Sequence, residues 1–413
     1  MSEVAQAPQL RFPEFSGEWK EKKLDSVVSK FIVPMRDKPT DLTGSIPWCR
    51  IEDFDGMYLN QSKTGQGVSE ETVKEMNLKV YPINTLLVSC SANLGFCAIV
   101  KKELITNQTF IGLQSNDNLI NIEFLYYLMK LSSRRLNILS SGTTISYLSR
   151  REFENFKITT PSLPEQQKIA AFLTAVDNKI EQLSKKQALL GEYKKGLMQQ
   201  IFSQAIRFKA NDGSDFPDWE EKKLGDLSVV ISDGNYGELY PTSSDFKLTG
   251  VPFLRANNIK SLKIDGTDTK YITEEQHSLL TSGHLQTNDI LITTRGVLGN
   301  LAIVESTHNG SNINAQICLL RVTNTSELNH FYLLFVLDHR DSKKQYKAFE
   351  TGTALKQLPK GNLRKIKLKL PTLFEQNKIA NFLSSIDTKI EQVDKQLDES
   401  KQFKKALLQQ MFV

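Results

Sequence analysis

Polar and basic side chains suited to nucleic-acid binding occur in short polar segments of both halves of this 413-residue chain. Arg and Lys can bind phosphates, while Arg, Asn and Gln can pair with base edges through two hydrogen bonds. The candidates are Arg36, Arg50, Ser89, Ser91, Asn93, Thr143, Thr144, Ser146 and Arg150 in the first half, and Asn235, Tyr236, Arg255, Asn257, Thr293, Thr294, Arg295, Thr353, Lys356 and Gln357 in the second. Each alone is an ordinary surface residue type. The loop positions gain weight because similar segments recur in both halves.

Motifs for covalent catalysis are missing from the sequence. A P-loop needs Gly-Lys before Ser or Thr, and the chain contains no Gly-Lys dipeptide. The Asn/Asp-Pro-Pro-aromatic motif of amino-methyltransferases is absent as well. Glu21-Lys22-Lys23 and Glu221-Lys222-Lys223 resemble a nuclease fragment, but neither follows an Asp at strand spacing. We therefore predict no catalytic residues in this chain.

Metal ligands and disulfides are not expected either. No Cys-x-x-Cys pair or His-Glu-x-x-His spacing occurs, and all five histidines lie in the second half. The cysteines, which are Cys49, Cys90, Cys97 and Cys318, are predicted to be small buried apolar residues of a cytoplasmic protein. The N-terminus does not resemble a signal peptide, and no apolar run is long enough to span a membrane. The net charge of +5 is compatible with a polyanionic partner.

The segments expected to position the candidate residues occur twice in the sequence. The segment Trp19–Leu24 returns as Trp219–Leu224, and 21 of the 42 residues at 161–202 are identical at 371–412. Between these repeated segments the two halves are less similar and share only short matches, such as Leu94-Gly95 with Leu298-Gly299. We therefore predict two variable modules, each followed by a copy of one tail.

The tails have the spacing of coiled-coil helices, with apolar residues at alternating steps of four and three. In the first tail these are Ile169, Leu173, Val176, Ile180, Leu183, Leu190, Leu197 and Ile201, interrupted by Gln187 and Lys194. In the second they are Ile379, Leu383, Ile386, Ile390, Val393, Leu397, Leu407 and Met411, interrupted by Ser400 and Lys404. We predict that the two helices pack on each other. An antiparallel pairing would relate the modules by a pseudo-two-fold axis.

The variable modules are predicted to be mixed α/β, with strands dominant. The β-branched runs 84–90 and 288–294, each followed by a Gly-containing turn and a second short run, are typical of hairpins. Single helices are predicted at Glu123–Leu139 and Glu327–Phe349. A loop and a final strand then lead into each tail. The alternation of Lys with apolar residues at 364–370 indicates that this strand has one buried face.

The duplicated segments Leu163–Ala170 and Leu373–Ala380, with the openings at Phe12–Leu24 and from Phe216, resemble the conserved regions of type I restriction-modification specificity subunits. The resemblance covers essentially the whole chain. One departure is Phe374, where the first copy has Pro164.

The resemblance implies an α+β chain with two strand-rich α/β target recognition domains, at residues 12–160 and 215–370. They would be separated and joined by helical regions at 161–209 and 371–413 that form an antiparallel coiled coil with pseudo-two-fold internal duplication. Each domain would read half of a split site in double-stranded DNA, and the helices would set the gap. Two methyltransferase subunits and two restriction/translocase subunits would be partners, carrying S-adenosylmethionine, ATP and Mg²⁺.

Two other functions fit the residues less well. A coiled-coil scaffold whose globular ends bind protein would show no sequence-dependent affinity for DNA. A self-contained restriction enzyme would cut or methylate DNA when purified alone with all cofactors, which the missing motifs argue against.

Overall fold

The structure is a computed structural model that describes residues 7–34, 38–91, 94–140, 147–237, 240–353 and 355–413. The chain forms two compact units. Unit 1 comprises Met1–Ser184 and Lys395–Val413, and unit 2 comprises Lys185–Asp394. Across the described residues, no helix is both long and apolar enough to cross a bilayer.

Unit 1 contains three sheets built from ten short strands. The strands are β1 (Lys20–Lys23), β2 (Val28–Ile32), β3 (Ile46–Cys49), β4 (Tyr58–Leu59), β5 (Gly67–Val68), β6 (Thr85–Ser89), β7 (Cys97–Val100), β8 (Ile105–Thr106), β9 (Phe110–Ser115) and β10 (Lys157–Thr160). They form a five-stranded sheet of order β2-β9-β6-β7-β4, a three-stranded sheet of order β5-β3-β8, and the pair β1-β10. The predicted hairpin is present as the antiparallel pair β6-β7.

Unit 2 repeats this construction. Its strands are β11 (Glu220–Lys223), β12 (Val229–Asp233), β13 (Val251–Leu254), β14 (Ile259–Lys260), β15 (Lys263–Ile264), β16 (Lys270–Ile272), β17 (Ile290–Thr293), β18 (Leu301–Ile303), β19 (Asn312–Ile313), β20 (Ile317–Val322) and β21 (Lys367–Leu370). The sheet β12-β20-β17-β18 corresponds to β2-β9-β6-β7, and β16-β13-β19 corresponds to β5-β3-β8. Both three-stranded sheets contain a parallel pair. The duplication therefore extends through the variable modules, where the sequences have diverged.

The helices follow the same scheme. They are α1 (Glu70–Glu75), α2 (Ile122–Leu131), α3 (Ser133–Leu139), α4 (Arg150–Asn155), α5 (Leu163–Phe202), α6 (Glu274–Leu279), α7 (His330–Asp338), α8 (Arg340–Phe349), α9 (Lys360–Leu363) and α10 (Leu373–Gln410). The two tails predicted from the heptads are thus the continuous helices α5 and α10.

The helical segment predicted in each module is present, but one break divides it into two helices. The breaks fall at Ser132 and at His339, whose backbone is extended with φ −65° and ψ 150°. The His339 side chain accepts a hydrogen bond from the backbone N–H of Asp341, which caps the start of α8. Six of the nine residues of α7 are buried, whereas α8 is polar on one face, so the two segments pack in different directions.

The repeated Trp-x-x-Lys-Lys-Leu segment supplies the strand that pairs with the strand before each tail. β1 runs antiparallel to β10, and β11 runs antiparallel to β21 in the same register. In β21 the lysines are exposed and Leu368 and Leu370 are buried, which confirms the predicted one-sided burial. The repeated opening thus closes each module onto the beginning of its long helix.

Each unit's main core includes one end of each long helix. In unit 1, Ile169 and Leu173 of α5 and Leu407 and Met411 of α10 belong to the core. In unit 2, the core includes the end of α5, with Ile201, and the beginning of α10. Within both units the start of one helix packs beside the end of the other, so the pairing is antiparallel, as predicted.

The polar interruptions of the heptads make specific contacts across the helix pair. Lys194 forms an ion pair with Asp387 at 2.6 Å in unit 2, and its ammonium lies 4.9 Å from the ring of Phe335. Lys404 pairs in the same way with Asp177 in unit 1, with its ammonium 5.7 Å from the ring of Tyr127. Gln187, by contrast, donates a hydrogen bond of 2.6 Å to Asp394 without a counterpart in the other copy, where the aligned residue is Leu397. Buried polar pairs of this kind specify helix register at some cost in stability.

The Glu-Gln pair at the start of each long helix is buried and fully engaged. Glu165 accepts two hydrogen bonds of 2.7 Å from Arg11. Glu375 accepts from Arg207 at 2.8 Å and from the indole of Trp219 at 3.0 Å. These contacts tie the segment that precedes each module to the helix that follows it.

The adjoining glutamines, Gln166 and Gln376, hydrogen-bond to the start of the first buried helix of each module, which is α2 or α7. The Gln166 amide donates to the carbonyl of Pro161 and accepts from the backbone N–H of Asn121, the residue that caps α2. Gln376 makes the same contacts with Pro371 and Asn329, which caps α7. The motif is therefore explained by a duplicated hydrogen-bond network.

Replacing Glu375 by Gln should destabilise unit 2 by about 3 kcal/mol, because Arg207 then loses its buried counter-charge. Urea unfolding of the variant measures this loss. The neighbouring Phe374 is 77% exposed, so Phe374→Ala is a matched control that should change stability by less than about 0.5 kcal/mol. Equal losses in both variants would contradict the assignment.

Replacing Lys194 by Met should cost about 2 kcal/mol, since Asp387 would keep an unpaired charge in a largely buried place. Burial already raises the pKa of Asp387, and Lys194 acts in the opposite direction. The double variant Lys194→Met/Asp387→Leu should recover most of the loss. A double-mutant cycle of unfolding free energies tests this coupling, and additive losses would speak against it.

Candidate nucleic-acid interface

Two loops that the sequence analysis singled out separately lie side by side in unit 2. They are the turn of the β17-β18 hairpin, residues 294–297, and the segment 355–358 that precedes α9. The Gly296 N–H donates to the carbonyl of Lys356 at 3.0 Å, and the Leu358 N–H donates to Thr294 at 2.8 Å. Arg295 lies opposite Gln357 in an antiparallel bridge. We call these two segments the paired loops of unit 2.

The described part of unit 1 has the same arrangement. The Leu148 N–H donates to the carbonyl of Cys90 at 2.9 Å, and Ser91 lies opposite Tyr147 in an antiparallel bridge. By position, Ser91 and Tyr147 correspond to Arg295 and Gln357. The backbone pairing is thus duplicated, while the side chains that it presents differ between the units.

A close approach between hairpin and helix requires glycine in both copies. A Cβ atom on Gly95 would lie 2.2 Å from the Cβ of Ser133, and one on Gly299 would lie 2.8 Å from the ring of Tyr346. Both glycines also have φ between 80° and 90°. The recurring Leu-Gly dipeptide therefore packs each hairpin turn against the helices that carry basic residues.

Arg295 is the best-defined cation of the paired loops. Its guanidinium lies 4.7 Å from the centre of the Tyr236 ring, and the Tyr236 hydroxyl donates to the carbonyl of Ala315 at 3.2 Å. No carboxylate among the described residues forms an ion pair with Arg295. A planar cation held against an aromatic ring, with its N–H groups available, is suited to bind a phosphate or a guanine edge.

A groove of about 510 Å³ adjoins the paired loops of unit 2. It is lined by the hairpin turn and by α8, with Lys343, Lys347 and Lys356 on its walls. Two of these lysines are neutralised, by Asp338 at 2.6 Å and by Glu350 at 2.8 Å. Lys347 is exposed and has no ion pair among the described residues. A groove of about 540 Å³ occupies the corresponding place in unit 1.

Four of the predicted residues are buried and act within the fold. Ser89 donates to the carbonyl of Ser91, and the Thr293 hydroxyl accepts from the Asn300 N–H. Thr294 donates to the carbonyl of Gln316, and the Asn235 side chain accepts from the backbone of Thr281 and Ser282. These side chains shape the loops from beneath, so we leave them out of the proposed contact surface.

Other predicted residues lie elsewhere in their units, away from the paired loops. Arg50 hydrogen-bonds Gln66, and Arg150 pairs with Glu154 at 2.7 Å. Arg255 pairs with Asp268 at 2.7 Å, and Asn257 also approaches that carboxylate. Thr353 is exposed beside the second loop.

Five predicted residues fall outside the part of the chain that the structure describes. They are Arg36, Asn93, Thr143, Thr144 and Ser146. For them the assignment stays a prediction.

The sequence analysis missed three exposed side chains at these loops. Val297 and Leu355 are apolar, and Tyr147 was passed over in favour of its polar neighbours. The sequence feature that could have identified them is an apolar or aromatic residue within a polar turn. A search for charged and hydrogen-bonding groups overlooks such residues.

The buried environment of the cysteines lowers their reactivity. The four cysteines are buried and free, and burial raises the pKa of the Cys90 thiol to about 11 and that of Cys49 to about 12. Such thiols are poor nucleophiles at neutral pH. No group of three or more His, Cys, Asp or Glu side chains suitable for a metal occurs within the described residues.

Comparison with known proteins points to one family. The profile of the type I restriction modification DNA specificity domain matches residues 16–190 and again residues 217–400. The chain is 26% identical to the type I restriction enzyme MjaVIII specificity subunit of Methanocaldococcus jannaschii, over 86% of this chain and 85% of the relative.

Solved structures share the fold. The S subunit of a type I restriction-modification system from M. genitalium aligns with a TM-score of 0.67, at 19% identity and over 99% of both chains. A chain from a structure on complex assembly and conformational transition of the type I R-M system aligns with a TM-score of 0.52, at 19% identity, over 95% of this chain and 97% of that one. With two copies of the specificity domain covering most of its length, the chain belongs to the family of type I restriction-modification specificity subunits.

Proposed function

We propose that this chain selects the DNA sequence on which a type I restriction-modification complex acts. Each unit binds one half of a split site in double-stranded DNA, and the bases between the halves are not read. The observation that supports this most directly is the duplicated loop pairing with different side chains, Ser91 and Tyr147 in one unit and Arg295 and Gln357 in the other. The same loop backbone with different side chains in the two units suits two half-sites of different sequence.

The chemistry belongs to partner subunits under this proposal. Two methyltransferase subunits would bind S-adenosylmethionine and methylate an adenine in each half-site, and two restriction/translocase subunits would use ATP and Mg²⁺. The specificity chain would contribute no catalytic group, since its sequence lacks the P-loop and amino-methyltransferase motifs. The complex would act in the cytoplasm, where its DNA substrate is found.

The helices α5 and α10 would fix the length of the unread gap. Their heptads form one continuous seam in sequence, and the polar pairs in each unit define a single register. A helix has a fixed rise of about 1.5 Å per residue, so its length in residues is a distance.

Phosphate contacts would supply most of the affinity, and base contacts would supply the selectivity. Lys347, in the groove beside the paired loops, is placed for a phosphate. Arg295 is placed for a base edge, because its guanidinium is oriented by the ring of Tyr236. Held in one orientation, the guanidinium loses less entropy on binding than a free side chain would.

Deleting the gene in its host should abolish N6-methyladenine at one split motif with a fixed gap. Mapping of methylated adenine across the genome before and after deletion measures this, and a plasmid copy of the gene should restore the methylation. If the map is unchanged while the partner methyltransferase is expressed and active, the chain does not direct adenine methylation.

Replacing Arg295 by Ala should weaken binding of the methyltransferase-bound chain to that motif by roughly 5- to 150-fold, the range for loss of one bidentate base contact. The slope of log affinity against log salt should stay the same, because no phosphate contact is lost. Arg340, a 59% exposed arginine at the start of α8 that pairs with Asp341, provides the control Arg340→Ala. Equal affinities of the Arg295 variant and the wild type would remove the paired loops from the interface.

A further inference from the structure

The paired loops of unit 2 end in an apolar tip. Arg295 lies opposite Gln357, and antiparallel pairing continues with the Gly296 N–H on the carbonyl of Lys356. Val297 and Leu355 are the next residues along the two loops, beyond this pairing. Their side chains are 68% and 53% exposed.

These two side chains do not serve the folding of unit 2. Neither belongs to its hydrophobic cores, which are filled by residues of the sheets and helices. Exposed apolar side chains are common singly on protein surfaces, but here each of two directly follows a paired segment, with half-exposed Tyr236 beneath Arg295. A shared position at the end of a paired loop indicates a contact with a partner.

The surroundings of the tip are basic. Arg295 lies two residues before Val297 and Lys356 follows Leu355, and the adjoining groove carries Lys343 and Lys347. Asp338 and Glu350 neutralise Lys343 and Lys356, so the positive charge left without an ion pair among the described residues is that of Arg295 and Lys347. This charge is complementary to a phosphate backbone and unfavourable for a basic protein surface. An apolar side chain that enters a DNA groove finds one apolar group on a base edge, the C5 methyl of thymine in the major groove.

We infer that Val297 and Leu355 form an apolar reader of thymine methyl groups in the half-site bound by unit 2. The inference rests on the proposed function, and it adds a chemical class of base that the tip selects. Arg295 would hold the tip in register on the neighbouring base edge, while Val297 and Leu355 would favour thymine over cytosine by contact with the methyl group. The methylated adenine of each half-site pairs with a thymine, so each half-site offers at least one such methyl.

Deoxyuracil tests the inference because it keeps every hydrogen-bonding group of thymine and lacks only the methyl. The wild-type chain, assembled with its methyltransferase partner, is titrated with the duplex of the mapped motif and with two duplexes in which all thymines of one half-site are deoxyuracil. Substitution in one half-site should weaken binding about fourfold for each methyl contacted, from the transfer free energy of a buried carbon. The double variant Val297→Ser/Leu355→Ser should lose that difference for the same half-site alone.

Leu248 supplies the matched control. It is a 96% exposed leucine of the same unit outside the paired loops, so Leu248→Ser should retain the full deoxyuracil effect. The inference is overturned if the wild type binds all three duplexes equally, if the double variant keeps the wild-type difference, or if it no longer assembles with the methyltransferase, which would make the tip a protein contact. Failure of the proposed function would appear differently, as wild-type binding that does not distinguish the motif from unrelated DNA.

Discussion

Each of the two long helices has to fit two hydrophobic cores with one uninterrupted register. The beginning of α5 is built into the core of unit 1 and its end into the core of unit 2, and α10 runs the other way. Because successive residues are turned by about 100° around the axis, one inserted residue would turn the apolar positions that follow it away from the partner helix. Insertion of a whole heptad would keep those positions on the same face. The polar pairs Lys194–Asp387 and Lys404–Asp177 add to this constraint, since each must meet its partner across the seam.

This constraint distinguishes the residues that stabilise the shared fold of the two units from those that can differ between the units. The Glu-Gln pair at the start of each long helix and the arginine that binds its glutamate make the same contacts in both units. The glycine of each hairpin turn lies close to a helix in both units, although the neighbouring residue differs. The side chains at the ends of the paired loops make no such contacts, so they can change without disturbing the core. A recognition surface can therefore diverge between the halves while the backbone beneath it is kept.

Much of this frame could be predicted from the sequence, because periodicity and duplication are local signals. The heptad spacing predicted both long helices, and the β-branched runs predicted both hairpins. The break at His339 was missed because the sequence of α7 and α8 together has the pattern of one helix. The position at which the helix axis changes direction depends on tertiary packing. The partner of Glu165 was also invisible, since Arg11 lies far away in sequence. Among the candidate contacts, the recurrence of two loops pointed to Arg295 and Gln357, which lie opposite each other in the structure; their contact with DNA stays a prediction. Burial removed Ser89 and Thr293, because residue type alone does not tell which face of a strand a hydroxyl occupies.

The composition of unit 1 from both ends of the chain has a consequence for how the protein is made. Its first segment ends at Ser184 and its second begins at Lys395, so the ribosome must add roughly 210 residues in between, which takes roughly 10–40 s at ordinary rates of synthesis. During that time the apolar faces around Ile169 and Leu173 lack Leu407 and Met411, which belong to the second segment. Unit 2 is contiguous in sequence and can close before that segment is made. The first segment of unit 1 is therefore the part that needs protection from aggregation until its second segment has been synthesised.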